Sequence, residues 1–261
     1  MIVLLLAIGL AIGSFLSALT FRLPRGQTIV KGRSQCDKCF REILWQDNIP
    51  LFSYLVLGGR CRACKAKISV RYPLIEISTG VGFLGIYILL KNCHESFAQP
   101  ICIWQENLGL LTLPYLLIVL SIMLAVFVID YERKIIPDEL SLTGFTLVFL
   151  TGILFMSSFY SLVASGFIVS MLLLLVHLVT GGRGMGLGDV KLALFGGIFL
   201  GWPYALIWIF IAFLTGAITG IILILAGRAS FGKQIPFGPF LVVSFFLTQV
   251  AGDALIKFIF I

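Results

Sequence analysis

The chain has 261 residues, of which 59% are hydrophobic and 12% are charged, and its formal net charge is +7. Soluble globular domains carry about twice this charged fraction, so the composition excludes a water-soluble protein. Crossing a hydrocarbon core of about 30 Å takes roughly 20 apolar residues as helix, and the chain has seven or eight such stretches. Since helices satisfy their own backbone polar groups in lipid, we expect an all-α polytopic membrane protein with seven to eight transmembrane helices.

Taken in chain order, the apolar stretches define the predicted spans. The first ends in Phe21-Arg22-Leu23-Pro24, which is no small-residue cleavage site, so we interpret it as a retained helix and not as a signal peptide. The sixth is short for a full crossing because Gly201-Trp202-Pro203 turns the chain. The predicted spans are residues 1–21, 73–90, 109–129, 139–156, 160–180, 190–201, 203–226 and 236–258.

One long polar insert, residues 22–72, separates the first transmembrane helix (1–21) from a transmembrane domain (73–261). The insert carries eleven basic and three acidic residues. Lys and Arg are retained in cytoplasmic loops, so we place the insert in the cytoplasm. The same side receives six later basic residues: Arg133, Lys134, Arg183, Lys191, Arg228 and Lys233. The positive charge therefore reflects topology and contact with anionic membrane lipids, and no nucleic-acid partner is predicted.

The insert contains two cysteine knuckles, Cys36-Asp37-Lys38-Cys39 and Cys61-Arg62-Ala63-Cys64, separated by 21 residues. About fifty residues build little hydrophobic core, so a cross-link or a bound metal is expected to stabilise the insert. Four thiolates at this spacing suit tetrahedral zinc, which would have no open position and hence a structural role. The alternative is four unliganded or redox-active thiols. We expect a small cytoplasmic zinc-ribbon-like insert.

Two further cysteines, Cys93 and Cys102, fall in a loop on the opposite, oxidising side. They are either disulfide-bonded or free, because the spacing alone does not establish the geometry of a bridge.

Two acids stand beside apolar helices, where a carboxylate is costly. Asp130 follows the apolar run that ends at Ile129, and Asp189 closes Gly184-Met185-Gly186-Leu187-Gly188-Asp189. Both fall at the cytoplasmic end of their spans. Two such acids can cleave a peptide if one is ionised and activates water while the other is neutral and polarises the scissile carbonyl. The glycines Gly186 and Gly188 would let backbone or substrate approach closely.

The positions of the two acids on their own helices suggest different roles. Asp130 lies at a helix C-terminus, where exposed carbonyls disfavour a carboxylate, and Asp189 lies near a helix N-terminus, where amides favour one. We therefore expect Asp130 to be the neutral acid and Asp189 the base. The bland alternative for either residue alone is an interfacial carboxylate at a helix end.

Four other polar residues have simpler interpretations. Asp138 follows Pro137 and is predicted to cap a helix. His177 lies on an apolar helix and is predicted to be packed, while Glu76, at the start of the second span, is ambiguous. Asp253 is predicted to pair with a lysine one helical turn away.

Several motifs together resemble the type IV prepilin peptidases, the bifunctional leader peptidases and N-methyltransferases of type IV pilus and type II secretion systems. The similarity covers nearly the whole chain, apart from Ser17 and Asp37, where the family usually has asparagine and proline. Besides the two cysteine knuckles and the two acids, it rests on Gly13-Ser14-Phe15-Leu16, Arg22-Leu23-Pro24, Asn48-Ile49-Pro50-Leu51-Phe52-Ser53-Tyr54, Gly59-Arg60, Arg71-Tyr72-Pro73-Leu74-Ile75-Glu76, Ile136-Pro137-Asp138 and Gly186-Leu187-Gly188-Asp189-Val190-Lys191.

The resemblance implies an enzyme of the bacterial cytoplasmic membrane with prepilins or pseudopilins as substrates. It implies that Asp130 and Asp189 are catalytic, and that the new N-terminal amine is methylated with S-adenosylmethionine. No G-x-G-x-x-G nucleotide-binding unit is present, so the sequence does not place the methyl-donor site.

Two other functions account for some of the same residues. An ion-coupled transporter would use intramembrane acids, but near the midplane of broken helices rather than near one face. A non-enzymatic assembly subunit would use the zinc ribbon for docking and would work without either aspartate.

Overall fold

The computed structural model describes residues 1–28, 34–93, 99–182, 184–227 and 235–260. Within these ranges it contains no β-strand, only two isolated bridges, Gln35 to Glu42 and Arg60 to Lys67. In chain order the helices are α1 (Ile2–Arg22), α2 (Phe52–Val56), α3 (Arg71–Lys91), α4 (Gln99–Leu108), α5 (Thr112–Arg133), α6 (Asp138–Phe155), α7 (Phe159–Val179), α8 (Leu187–Leu200), α9 (Tyr204–Leu225) and α10 (Gly238–Phe260).

Seven helical stretches in the described ranges are long and apolar enough to cross a membrane. This confirms the predicted all-α, multi-pass membrane protein. Helix α4 was not predicted, and the short sixth span corresponds to α8. With 14 residues, α8 is only about 21 Å long. Five of the basic residues used for orientation, Lys31, Arg33, Arg183, Arg228 and Lys233, lie outside the described residues.

The chain packs as two units. The first comprises Met1–Ile88 with Leu116–Ala125, and the second comprises Leu89–Tyr115 with Val126–Ile261.

In the first unit, α1 and α3 come into backbone contact at small residues. A Cβ on Gly9 would lie 2.7 Å from the Cα of Gly80, so no larger residue fits at Gly9 without moving the helices apart. Nearer the insert, the guanidinium of Arg71 on α3 donates to the hydroxyl of Thr20 at 2.7 Å and to the carbonyl of Ser17 at 3.1 Å. These bonds fix the end of α1 against the start of α3.

In the second unit, the short helix α8 is the buried centre, with ten of its fourteen residues buried. Glycines again allow close packing, since a Cβ on Gly197 of α8 would lie 2.7 Å from the Cα of Gly166 on α7. The Ser165 hydroxyl donates to the Gly197 carbonyl at 2.9 Å. A helix too short to span the bilayer is thus enclosed by longer helices, and its first turn is held at a fixed position in the unit.

The second unit also contains Cys93, which follows α3, and Cys102, which lies in α4. Cys93 and Cys102 form a disulfide with a Cα–Cα distance of 5.4 Å, within the usual range. The structure therefore decides between the two states that the sequence left open.

Candidate active site

Asp130 occupies the last turn of α5 and is 5% exposed. Helix α5 ends just beyond it, because Lys134 adopts a left-handed conformation (φ 57°) and its N–H bonds the Asp130 carbonyl at 2.8 Å. The side chain points to another element. Its Oδ2 atom accepts a hydrogen bond of 2.8 Å from the backbone N–H of Gly238, the first residue of α10.

Asp189 is the third residue of α8 and is 7% exposed. Its Oδ2 atom accepts a hydrogen bond of 3.0 Å from the backbone N–H of Gly186, the residue that precedes the helix. This bond links the backbone just before α8 to a carboxylate in the first turn of that helix. The sequence prediction that Asp189 lies near a helix N-terminus is confirmed.

The two carboxylates lie in the same unit. Each accepts a backbone N–H at a helix N-terminus, that of α10 for Asp130 and that of α8 for Asp189. Such amides stabilise negative charge. Asp130 therefore lies at the unfavourable end of its own helix but at the favourable end of another, so helix ends alone do not distinguish the two acids.

The two glycines predicted to support the site differ in whether a side chain would fit in their place. A Cβ on Gly188 would lie 2.8 Å from Cβ of Ile136, in the loop between α5 and α6, so no side chain fits without displacement. At Gly186 the backbone is extended (φ −83°, ψ 155°), and a Cβ would lie 3.4 Å from the carboxylate of Asp189. Only Gly188 is fixed by close packing.

His177, in the last turn of α7, bonds the loop that precedes α8 and its acid Asp189. One ring nitrogen, Nδ1, lies 2.7 Å from the carbonyl oxygen of Met185, and Met185 is buried. His177 is packed, as the sequence predicted, and it also fixes the backbone one residue before Gly186.

The predicted capping role of Asp138 is wrong. Pro137 occupies the N-cap position of α6, and no side chain caps that helix end. Asp138 instead accepts a salt bridge from the Nζ of Lys191 at 2.6 Å, which links the start of α6 to α8. The carboxylate of Asp253 accepts a hydrogen bond from the Tyr204 hydroxyl, and the salt bridges found among the described residues do not include the predicted pair with a lysine.

The sequence reasoning missed Gly238. A Cβ on this residue would lie 2.6 Å from Oδ2 of Asp130, so the hydrogen bond between them requires glycine. The available signal was a glycine between two helix-initiating prolines, Pro236 and Pro239, at the start of the last span.

The four knuckle cysteines form a separate centre in the first unit. Their sulfur atoms all lie within 4.8 Å of one another, and Sγ of Cys36 and Sγ of Cys64 are 3.8 Å apart. Four sulfurs around tetrahedral zinc, each at about 2.3 Å, are separated by about 3.8 Å. The donor set made of Cys36, Cys39, Cys61 and Cys64 therefore fits zinc.

The backbone shapes the two knuckles alike. In each, the residue after the second cysteine, Phe40 or Lys65, has a positive φ, and its N–H bonds the carbonyl of the first cysteine. Backbone N–H groups of Cys64 and Ala63 lower the pKa of Cys61 to about 6, whereas burial and the neighbouring cysteine side chains raise the pKa of Cys64 to about 11. Without a metal, the four thiols therefore do not all ionise alike.

Comparisons with known proteins match both parts of the chain. Residues 7–90 match the bacterial peptidase A24 N-terminal domain, and residues 117–221 match the type IV leader peptidase family. A prepilin leader peptidase/N-methyltransferase of Pseudomonas aeruginosa is 32% identical over 96% of this chain and 90% of its own length. Proteins of the same name from Pseudomonas putida and Neisseria gonorrhoeae are 32% and 31% identical over 97% and 95% of this chain and over 91% and 89% of their own lengths.

The chain belongs to the type IV leader peptidase family. Both candidate acids, Asp130 and Asp189, lie in the range that matches the leader peptidase model, whereas the four cysteines and Glu76 lie in the range that matches the N-terminal domain. Gly238 lies beyond both ranges. No solved structure matches the chain.

Proposed function

We propose that the protein cleaves leader peptides from prepilins or pseudopilins at the cytoplasmic face of the inner membrane, with Asp130 and Asp189 as the catalytic pair. One observation carries the assignment of these residues. They are two buried carboxylates of one unit, and each is oriented by a backbone N–H at the start of a helix. Membership of a family whose named relatives are prepilin leader peptidases supports the reaction.

The pair hydrolyses the peptide bond by general acid–base catalysis. The ionised carboxylate takes a proton from a water molecule, and the oxygen of that water attacks the scissile carbonyl carbon. The neutral carboxyl group donates its proton towards the carbonyl oxygen. Breakdown of the tetrahedral intermediate breaks the C–N bond and transfers a proton to the leaving amine. The hydrogen bonds from Gly186 and Gly238 hold the carboxylates in place throughout.

The protein also N-methylates the amine that cleavage releases. S-adenosylmethionine is the co-substrate and supplies an electrophilic methyl group on a sulfonium centre. The names of the relatives, which combine leader peptidase with N-methyltransferase, support this second activity.

The cysteine centre binds zinc as a structural ion. Four thiolates complete a tetrahedral shell and leave no position for substrate or water. Zinc binding stabilises residues 22–72, a domain with little core of its own, and takes no part in the chemistry.

The insert and both acids face the cytoplasm. The excess of Lys and Arg in residues 22–72 supports this orientation. It places the pair on the side where the basic leader of a prepilin remains while its apolar stem enters the membrane. An ion-coupled transporter gains no support, since the named relatives are peptidases.

The decisive experiment incubates the purified protein in detergent with a prepilin and follows loss of the leader by gel shift and mass spectrometry. Wild type is expected to remove the leader, and Asp189→Asn and Asp130→Asn are expected to remove none. Asp138→Asn is the matched control, since it makes the same change in an exposed acid near the pair. Cleavage by both variants would reject the assignment.

A further inference from the structure

Three sequence motifs that leader-peptide cleavage does not use converge on one carboxylate of the first unit. They are Gly13-Ser14-Phe15-Leu16, the segment from Asn48 to Tyr54, and Arg71-Tyr72-Pro73-Leu74-Ile75-Glu76. Glu76 on α3 accepts a hydrogen bond of 2.8 Å from the backbone N–H of Leu51, and the side chain of Ser14 lies close enough to interact with it. All three segments thus meet at one side chain.

The surroundings of Glu76 are tightly determined. A Cβ on Gly13 would lie 2.6 Å from the Cα of Glu76, so α1 passes in direct contact with the acid. The backbone N–H of Leu51 points towards the carboxylate. The backbone angles of Leu51 are φ 57° and ψ −46°, a conformation that residues other than glycine rarely adopt. Strained backbone of this kind concentrates at binding and catalytic sites.

Among the described residues, the carboxylate has neutral donors but no cation. Glu76 is 7% exposed, and it is the one buried acid among the described residues of the first unit. In the part of the chain that the structure describes, no Lys or Arg forms a salt bridge with it. Its neighbour Arg71 is bonded to Ser17 and Thr20 instead. Since buried carboxylates are normally paired with a cation, this arrangement suits a cationic ligand.

We propose that Glu76, with Ser14 and the Leu51 amide, binds the N-terminal ammonium group of the cleaved pilin and is the acid–base residue of its methylation. This assignment rests on the proposed methyltransferase activity and gives it a site in the first unit, separate from the two aspartates of the second. The substrate class is a polypeptide with a free primary α-amine, and the methyl donor is a sulfonium compound, S-adenosylmethionine.

The reaction balances with the groups named. The carboxylate pairs with the ammonium and takes one of its protons, which leaves a neutral amine with a free lone pair. The nitrogen attacks the methyl carbon of the sulfonium, so the N–C bond forms as the C–S bond breaks. The products are a methylated ammonium and a neutral thioether, and the carboxyl group then loses its proton to water.

The first experiment measures binding without any methyl donor. A labelled leaderless pilin peptide, with its N-terminus either free or acetylated, is titrated into purified protein. Wild type is expected to bind the free amine roughly tenfold more tightly, as a charge-assisted hydrogen bond in a buried site would give. Glu76→Gln, whose amide oxygen still accepts from Leu51, is expected to bind the two peptides equally. Asp47→Asn, the same change in an acid already paired with Arg62, is expected to discriminate like wild type.

The second experiment separates the two activities. With the leaderless peptide and S-adenosylmethionine, Glu76→Gln is expected to methylate at least about 100-fold more slowly than wild type. Its cleavage of prepilin should stay within about twofold. If Glu76→Gln methylates the peptide at the wild-type rate, the proposal is overturned. The proposal is also overturned if this variant loses cleavage activity, zinc and protease resistance together, because Glu76 would then have a structural role. If wild type itself methylates no leaderless peptide, the methyltransferase function fails irrespective of Glu76.

A third measurement requires no variant. Carbodiimide joins a carboxylate to an amine in direct contact, so treatment of wild type with the free-amine peptide should produce an amide link at Glu76, mapped by mass spectrometry. The acetylated peptide should give none. A link at another acid, or no link, would contradict the assignment even if Glu76→Gln failed to fold.

Discussion

The backbone N–H of Gly238 donates a hydrogen bond of 2.8 Å to the carboxylate of Asp130, across 108 positions of sequence. The start of the last helix is thereby bonded to the end of α5. One candidate catalytic acid is thus positioned by a residue that contributes no side chain, and any larger residue at 238 would occupy the place of the carboxylate oxygen.

Gly238→Ala is therefore expected to reduce leader cleavage by about 100-fold, because a misplacement of about 1 Å at a reacting group costs this much. Gly220→Ala is the control, since among the described residues its Cβ would meet Ile235 alone, at 3.9 Å. The measurement is the initial rate of leader loss, with thermal unfolding to show that both variants fold. Equal rates for the two variants would mean that the bond to Asp130 is dispensable.

Asp130→Asn and Asp189→Asn are each expected to abolish cleavage, and the double variant should be little slower than either single one, because the pair acts as a unit. All three should retain zinc. Rates that multiply across the two sites would instead indicate independent functions.

The division of roles, with Asp130 neutral and Asp189 ionised, is tested by infrared difference spectroscopy of the carboxyl stretch near neutral pH. Loss of the protonated-carboxyl band in Asp130→Asn, with retention in Asp189→Asn, is the expected result. The opposite pattern would reverse the roles. The amide of α10 at Asp130 makes this experiment necessary, since it offsets the effect of that residue's own helix end.

The two glycines before Asp189 are expected to differ in their tolerance of alanine. Gly188→Ala should destabilise the protein by about 1–3 kcal/mol through overpacking against Ile136. Gly186→Ala should cost less than about 1 kcal/mol, since its backbone angles suit any residue. Thermal unfolding in detergent measures both, and equal losses would show that the contact with Ile136 relaxes.

Cys61→Ser is expected to lose zinc and to expose residues 22–72 to protease, because the metal supplies much of the folding free energy of this segment. Cleavage activity should fall through instability. Asp47→Asn, in the same segment but outside the cluster, should keep both zinc and protection. A cysteine variant without zinc whose segment stays protected would refute a structural role for the metal.

The proposed orientation predicts where cysteines react. A cysteine placed at Ser34 should be labelled by an impermeant maleimide only from the cytoplasmic side, whereas Cys93 and Cys102 should be labelled from outside, and only after reduction. A cysteine placed at Ser96 should also react only from outside, but this position lies outside the described residues. Labelling of Cys93 from the cytoplasmic side would show that the topology is the inverse of the proposed one.

Features that depend on nearby residues could be predicted from the sequence. Runs of apolar residues predicted the membrane helices because the bilayer sets their length. The spacing of the cysteines predicted one cluster because a C-x2-C turn brings two thiolates to the same ion. The cost of a carboxylate beside apolar helices singled out Asp130 and Asp189 before any contact was known.

Tertiary structure decided the contacts between residues far apart in the chain. Asp138 bonds Lys191 instead of capping its own helix, Asp130 meets the amide of Gly238, and the ambiguous Glu76 is bonded by Leu51. The sequence by itself determined which segments enter the membrane and which residues cost energy there. That Asp130 also faces the start of α10 was decided only by packing, because a hydrogen bond depends on distances of about 3 Å that sequence separation does not specify.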